Sequence, residues 1–227
     1  MHLYETHLHT KPVSKCAVAS VRETVEFYYG LGYAGIFITN HFLDGNINID
    51  RSLPYDEKIN FYFSDYEEAK RIGDEIGISV FFGAELSYGG TDFLVYGLDK
   101  EWFLNHPEIM NMSKTAELTL MANEGALIIQ AHPFREASYI DHIRLYPRHV
   151  HGVEIYNANR TEFENDMAKH YAKSYDLLPF AGTDNHRGSS QTKLGGIKLS
   201  SKISDEQDFI MRIKDGEYKL FHKELGE

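Results

Sequence analysis

The stretch Gly35-Ile36-Phe37-Ile38-Thr39-Asn40-His41 decides how the chain is read. Three consecutive apolar residues between a glycine and a polar run mark a short strand buried on both faces, the kind found in parallel sheets covered by helices. Just upstream, Ser20-Val21-Arg22-Glu23 has the spacing of a capping box. It opens a helix with Val21, Val25, Tyr28 and Leu31 on one face, and Gly30 and Gly32 end it. Earlier still, the apolar-polar alternation from His2 to His9 reads as a first strand, so that His7 and His9 share a side and Leu8 faces the other way. The first 41 residues are therefore a βαβ unit, and both of its strands end in histidine.

The same pattern recurs downstream. Residues 43–63, rich in Asn, Asp, Tyr and Pro, are expected to form a long loop bordering a site. Ser64-Asp65-Tyr66-Glu67 is a second capping box, followed by Ala69, Ile72 and Ile76 at helical spacing and by Gly77 as a stop. Residues 78–82 form another buried strand that runs into Gly83-Ala84-Glu85, and residues 92–98 are a further apolar run begun by Asp92. Asn111 or Ser113 starts a helix that Gly125 ends, and residues 126–129 lead into His132-Pro133-Phe134-Arg135. Gly152–Asn157 is the next strand, and Thr161-Glu162-Phe163-Glu164 caps a helix with Phe163, Met167, Tyr171 and Tyr175 on one side. Residues 178–182 then lead to Thr183-Asp184-Asn185-His186. Residues 196–199 and a helix capped by Ser204 and Gln207 complete the chain. Repeated βα alternation predicts an α/β fold whose mainly parallel sheet closes into a barrel, as a single domain over residues 1–227.

In such a barrel the active site lies at the C-terminal ends of the strands, and His7, His9, His41, Glu85, His132, Asp184 and His186 all fall there. Imidazole and carboxylate ligands suit zinc, manganese or iron. There are more candidate ligands than one ion takes, so at least two ions are implied, with Glu85 or Asp184 as the bridging carboxylate. Two close ions activate water and stabilise charge on an attacked phosphoryl or carbonyl group. Arg135 is a candidate phosphate clamp, with Arg160, Arg187 and Lys15 as weaker ones. Tyr156 and the aromatics of residues 43–63 are candidates for a pocket wall.

Composition limits the partners. A net charge of -11, from 23 basic and 34 acidic residues, opposes binding of a long nucleic acid and points to a small-molecule substrate. The single cysteine, Cys16, excludes an intramolecular disulfide, and no apolar run resembles a signal peptide or a membrane span. The expected location is cytoplasmic, with no membrane partner. Twelve histidines are many for this length. His2, His106, His142, His149, His151, His170 and His222 lack strand-end placement and read as structural or solvated.

The order of motifs resembles the polymerase and histidinol phosphatase (PHP) family. Its pattern of His-x-His, Thr-Asp-His, Gly-x-Glu, a His opening an apolar run, His-Pro, Gly-Ile-Glu and Asp-x-His looks like His7-Leu8-His9, Thr39-Asn40-His41, Gly83-Ala84-Glu85, Asp92, His132-Pro133, Gly152-Val153-Glu154 and Asp184-Asn185-His186. The resemblance spans nearly the whole chain. It implies a distorted TIM-like (β/α)7 barrel holding two or three divalent transition metals (Zn, Mn or Fe) and hydrolysing phosphoesters through a metal-bridging hydroxide. By that analogy His7, His9, Glu85 and Asp184 hold one ion, Glu85, Asp92 and His132 a second, and His41 and His186 a third, with Glu85, Asp184 and His186 at the centre of catalysis. Three departures stand out. Asn40 replaces an Asp, Asp92 replaces a His and would harden the site towards manganese or iron, and Ser14, Lys15 and Cys16 occupy the loop that commonly supplies Asp or His to the third ion. Glu154 is either a ligand or the partner that orients one. The competing readings are an amidohydrolase-type metal-dependent hydrolase, which a bridging lysine would mark, and a noncatalytic metal-binding module.

Overall fold

The structure, a computed structural model, describes residues 1–226. Its strands are β1 (His2–Glu5), β2 (Gly35–Ile38), β3 (Ser79–Tyr88), β4 (Thr91–Tyr96), β5 (Leu127–Ala131), β6 (Gly152–Asn157), β7 (Leu178–Gly182), β8 (Lys193–Leu199) and β9 (Tyr218–Glu224). The helices are α1 (Val21–Gly30), α2 (Tyr55–Ile76), α3 (Lys100–Asn105), α4 (Lys114–Asn123), α5 (Glu162–Tyr175) and α6 (Glu206–Lys214). One sheet runs β7-β6-β5-β4-β3-β2-β1-β8-β9. Strands β1 to β7 thus follow one another round a barrel wall in chain order, and the antiparallel hairpin β8–β9 fills the gap beside β1. The barrel is nearly closed. Thr183 Oγ1, just past β7, accepts the Gly195 amide of β8 at 2.9 Å, and Asp184 N donates to His7 O at 2.7 Å.

The distortion has a local cause. The β3–β4 connection is Tyr88-Gly89-Gly90-Thr91, with both glycines at positive φ (56° and 85°), a tight turn that makes β4 antiparallel to β3 and to β5. The pairs β1–β2, β2–β3, β5–β6 and β6–β7 are parallel, as the βα alternation predicts.

Alternate residues of each strand fill the two sides of the wall. Tyr4, Phe37, Phe81, Leu94, Tyr96, Ile129, Phe180 and Ile197, drawn from strands all round the sheet, form one cluster inside the barrel. Phe209, Ile210 and Ile213 of α6 join it and plug one end, with the Phe209 ring tilted against Phe37 at a centroid distance of 4.4 Å. The opposite faces of β3, β4 and β5 bury Phe82, Phe93, Val95 and Ile128 under Ile59, Tyr62 and Phe63 of α2, Phe103 of α3 and Leu118 and Met121 of α4. With one end plugged, a ligand reaches the barrel by the polar strand ends at the other. Tyr96 caps the apolar interior there, donating its hydroxyl to Thr6 O at 2.7 Å.

Three local expectations change. Helix α2 starts at Tyr55, not at Ser64, so the predicted loop over 43–63 shortens to the residues before Tyr55. Ser64 lies inside the helix and returns its hydroxyl to Phe61 O at 2.7 Å, while Ile59, Tyr62 and Phe63 carry the helical spacing back across the expected loop. On α5 the buried face is Ala168, Tyr171 and Ala172 against Val153, and Phe163 and Tyr175 are exposed. Strand β1 ends at Glu5, because residues 6–10 leave its ladder to run between Thr39 and Asn185, as Leu8 N donates to Thr39 Oγ1 (2.9 Å) and His9 N to Asn185 O (2.8 Å).

Candidate metal centre

That displaced segment brings His7 and His9 over the barrel mouth, both fully buried. Glu85 meets them from β3. Its Oε1 lies 3.2 Å from His7 Nε2 and 3.3 Å from His132 Nε2, and its Oε2 lies 3.4 Å from His9 Nε2 and 2.7 Å from His41 Nδ1. Asp184 closes the cluster from beyond β7, with Oδ1 3.5 Å from His7 Nε2 and 3.4 Å from His9 Nε2. Among the described residues, three groups present donor atoms all within 4.8 Å of one another: His7 with His9 and Asp184, His7 with Glu85 and His132, and His9 with His41 and His186.

The hydrogen bonds behind these side chains fix where their lone pairs point. His7 Nδ1 lies 2.9 Å from Glu154 Oε1, an obligate acceptor, so Nδ1 carries the proton and Nε2 faces Glu85 and Asp184. Ser14 Oγ donates to Asn40 Oδ1 at 2.8 Å, which leaves it to accept from His9 Nδ1 at 3.2 Å. His9 Nε2 is thereby also turned inward, 3.3 Å from His7 Nε2. His186 Nδ1 faces its own strand-end carbonyl, Asp184 O, at 2.9 Å, freeing its Nε2. His41 Nδ1 and Glu85 Oε2 are both buried and make no hydrogen bond despite their closeness. Inward lone pairs and orphaned buried atoms around one point have a simple remedy, a cation between them.

The electrostatics agree. Burial pushes the carboxyls of Glu85 and Asp184 up, but the surrounding imidazoles outweigh it and hold both well below the usual carboxylate range. Burial, with His186 and His41 beside it, holds His9 well below the usual imidazole range and therefore neutral. Ionised carboxylates and a neutral imidazole are the forms that ligate cations. His7 and His41 behave oppositely: burial lowers them, but Glu154, Asp184 and Glu85 around His7, and Glu85 beside His41, raise them well above the ordinary value. A cation entering the cluster therefore displaces protons from these two rings.

The backbone is strained where it aims ligands. The non-glycine residues at positive φ are His132 (26°), Asp184 (59°) and Asp176, which ends α5. Such conformations persist only where surrounding structure enforces them, and they concentrate at functional sites.

Asp92, expected as a ligand, sits at the edge of the cluster. Its Oδ2 is 2.9 Å from Arg135 Nη2 and 3.9 Å from His132 Nε2, and it belongs to none of the three donor groups. Asn40 has a reason to be an amide: its Nδ2 donates to Asp65 Oδ2 at 3.1 Å, where an aspartate would set two buried carboxylates together. Glu154 orients rather than ligates, since Oε1 takes His7 Nδ1–H while Oε2 takes His132 N–H (3.0 Å) and Asn157 Nδ2–H (2.9 Å). Replacing it by glutamine leaves one oxygen for three donors. Glu154→Gln is expected to weaken cation binding about 10- to 100-fold, measured by chelator competition.

Above the ligands opens a cleft of about 920 Å³, lined by Arg135, Arg160 and Arg187 as well as Asn159, Tyr139 and Cys16. Lys15 is exposed and lies outside this lining. Cys16, next in the chain, takes the inward place instead. Burial pushes its thiol up, but hydrogen bonds with His186 and His41 outweigh it and bring the thiol down to about 6. Tyr156 packs against His222, ring centroids 5.0 Å apart, and none of the aromatics of residues 43–63 lines the cleft, where Tyr139 stands 70% exposed. No local sign in the sequence marks the roles of Asn157, at the end of β6, or of Tyr139, in a loop, because each is set by partners far along the chain.

No family model and no curated protein matches the chain in sequence. Solved structures do. A two-domain protein from Bacteroides vulgatus ATCC 8482, containing a predicted PHP-like metal-dependent phosphoesterase, is 14% identical with a TM-score of 0.72, over 97% of this chain and 64% of that one. The chain therefore spans less than two thirds of that protein's length. PsfC from Pseudomonas syringae PB-5123 is 14% identical at a TM-score of 0.60, covering 99% and 92%. An amidohydrolase from Chromobacterium violaceum, solved with sulfate and no metal, is 12% identical at 0.56, covering 95% and 97%. These likenesses establish the distorted TIM-like barrel as a shared fold. No helix among the described residues is long and apolar enough to cross a membrane.

Proposed function

We propose that this chain is a metal-dependent phosphoesterase that hydrolyses a small phosphorylated metabolite or nucleotide. The observation that carries the reading is Glu85, whose two oxygens face different imidazoles, His7 and His132 on one side and His9 and His41 on the other, so that one buried carboxylate stands between two pairs of imidazoles. His7, His9, Glu85, Asp184 and His132 would hold two divalent cations. When bound, such ions supply positive charge to phosphoryl oxygens and acidify water.

The chain's own residues do the rest. Arg135, Arg160 and Arg187 line the cleft beside the donor groups, and guanidinium groups match phosphate oxygens in charge and geometry. Arg135 is held by Asp92 and by its Nη2 donating to Gly90 O at 3.2 Å, which orients it without ordering cost on binding. The cleft is large enough for a nucleotide-sized ester, and the net charge of -11 disfavours a long polyanion.

The test pairs elemental analysis of protein purified without chelator with hydrolysis of para-nitrophenyl phosphate and its bis-ester, before and after stripping. Two or more equivalents of transition metal and turnover that follows reloading are expected. Absence of metal, or hydrolysis of neither ester by the loaded protein, overturns the reading. Likeness to an amidohydrolase fold favours a second reading, in which amides are cleaved and both phosphate esters are inert. Among the described residues, the cleft is lined by three arginines and by no lysine that would mark that class.

A further inference from the structure

Tyr139 stands exposed at the edge of the cleft, on a segment that is otherwise pinned. Ile140 N donates to Ala137 O at 2.9 Å, so residues 137–140 form a β-turn that carries Tyr139 at its apex. The turn is tied down on both flanks. Before it, Arg135 Nη2 donates to Gly90 O at 3.2 Å and Glu136 N to Glu164 Oε1 at 2.9 Å. After it, Arg144 Nη1 donates to Gly89 O at 2.6 Å and Gln130 Nε2 to Arg144 O at 2.7 Å. Two arginines thus grip the two glycine carbonyls of the β3–β4 hairpin. Ile140 lies so close over Gly90 that a Cβ there would come within 2.7 Å of Ile140 Cγ1. A side chain left in water on so well-anchored a turn loses little freedom when a ligand settles on it, and tyrosine offers a large flat surface with only two rotatable bonds.

The place of the ring relative to Arg135 says what that ligand would carry. The Arg135 guanidinium, whose Nη2 pairs with Asp92 at 2.9 Å, lies 5.8 Å from the Tyr139 ring centroid. From His132 and Asp92, both buried, through the partly buried Arg135 to the exposed Tyr139, the residues run outward from the donor groups to solvent. A phosphoryl group clamped by Arg135 therefore presents its organic part towards the tyrosine. What gains most from a flat aromatic face is another flat ring. A ring esterified directly to the phosphate would stay beside the guanidinium, whereas the sugar of a nucleotide spans it. We propose that Tyr139 is a specificity residue, a platform on which the base of a nucleoside monophosphate stacks while Arg135 holds its phosphate. The inference deepens the phosphoesterase reading and rests on it.

Adenosine 5′-monophosphate and ribose 5-phosphate share the ester and the sugar and differ in the base, so their comparison isolates the stacking. Their phosphonate analogues, in which carbon replaces the ester oxygen, give binding without turnover. Calorimetric titration of the metal-loaded protein with the two phosphonates is expected to favour the nucleotide form at least about fivefold, the lower end of what stacking a base on an aromatic side chain contributes. Phosphate release from the two esters is expected to show the same preference in kcat/KM, through KM. Tyr139→Ala and Tyr139→Leu are expected to lose the preference and Tyr139→Phe to keep it, because leucine retains apolar area without a flat face. Equal affinity for the two phosphonates, binding of neither, or a preference that survives in Tyr139→Ala overturns the proposal. A base preference in binding with hydrolysis of neither ester would sink the phosphoesterase reading and leave the platform standing, whereas hydrolysis of both esters without a preference does the reverse.

Discussion

Glu85→Gln is expected to lower turnover of phosphate monoesters at least about 10³-fold, the scale of losing a preorganised charged group at a reaction centre, and to reduce bound metal by one equivalent or more. The carboxylate meets four imidazoles at 2.7 to 3.4 Å. Glutamine keeps its shape and volume but is uncharged, and one arm becomes an N–H donor that occupies the position a cation would take. The effect is larger than that of Glu154→Gln because Glu154 touches only His7, the His132 amide and Asn157 and acts through them. Steady-state kinetics and elemental analysis on both variants give the ranking. If Glu85→Gln costs no more than Glu154→Gln, the centre is not built on Glu85.

Gly195→Ala is expected to destabilise the fold by at least about 3 kcal/mol, the upper range for overpacking a closed interior. For a chain of this size that lowers Tm by roughly 6–12 °C. A Cβ at position 195 would overlap the Gly182 carbonyl, which is backbone and has no rotamer to yield. The two glycines face each other where β7 meets β8, and Gly182 itself leaves room for Glu154 to reach His7, since a Cβ there would come within 2.6 Å of Glu154 Oε1 and 2.5 Å of His7 Cβ. Gly30 is the control. It ends α1, and a Cβ added there would meet nothing within 4 Å, so Gly30→Ala should be neutral or stabilising by up to about 1 kcal/mol. Differential scanning calorimetry of both variants decides the matter, and equal Tm values would mean that the β7–β8 contact does not hold the barrel shut.

What could be read from the sequence was local. Ser20, Ser113 and Thr161 cap their helices as their spacing indicates, because a cap is made within one turn. Strand ends leading to His41 and His132 were legible because buried strands are short apolar runs with sharp boundaries, whereas Glu85, expected just past a strand end at residue 82, lies within β3, which runs on to Tyr88. The start of α2 was hidden by aromatic and amide residues of middling helix propensity and by Pro54, which makes no side-chain cap, although Asp56 and Glu57 in the first turn were a usable sign. Gly89-Gly90 was likewise a hairpin signal that the parallel pattern around it masked. The pairing of Asp92 with Arg135, and the approach of Cys16 rather than Lys15 to His41 and His186, are products of loops meeting across the barrel mouth. No spacing along the chain encodes them.

The junction of the first strand's extension with the last barrel strand has a kinetic consequence. Thr6 Oγ1 donates to Ala181 O and the Thr183 amide to Glu5 Oε1, contacts separated by 175 and 178 residues. These are among the highest-order contacts in the chain, and the closure entropy of such non-local pairings must be met before they stabilise the fold, which slows folding. His7 and His9 emerge from the ribosome well before Asp184 and His186, and the donor groups that use the later pair exist only once β7 is made and the ring has closed. Acquisition of the full complement of ions is thus a readout of completed folding, and a chain stalled or truncated before β7 would carry most of the ligands and little of the centre.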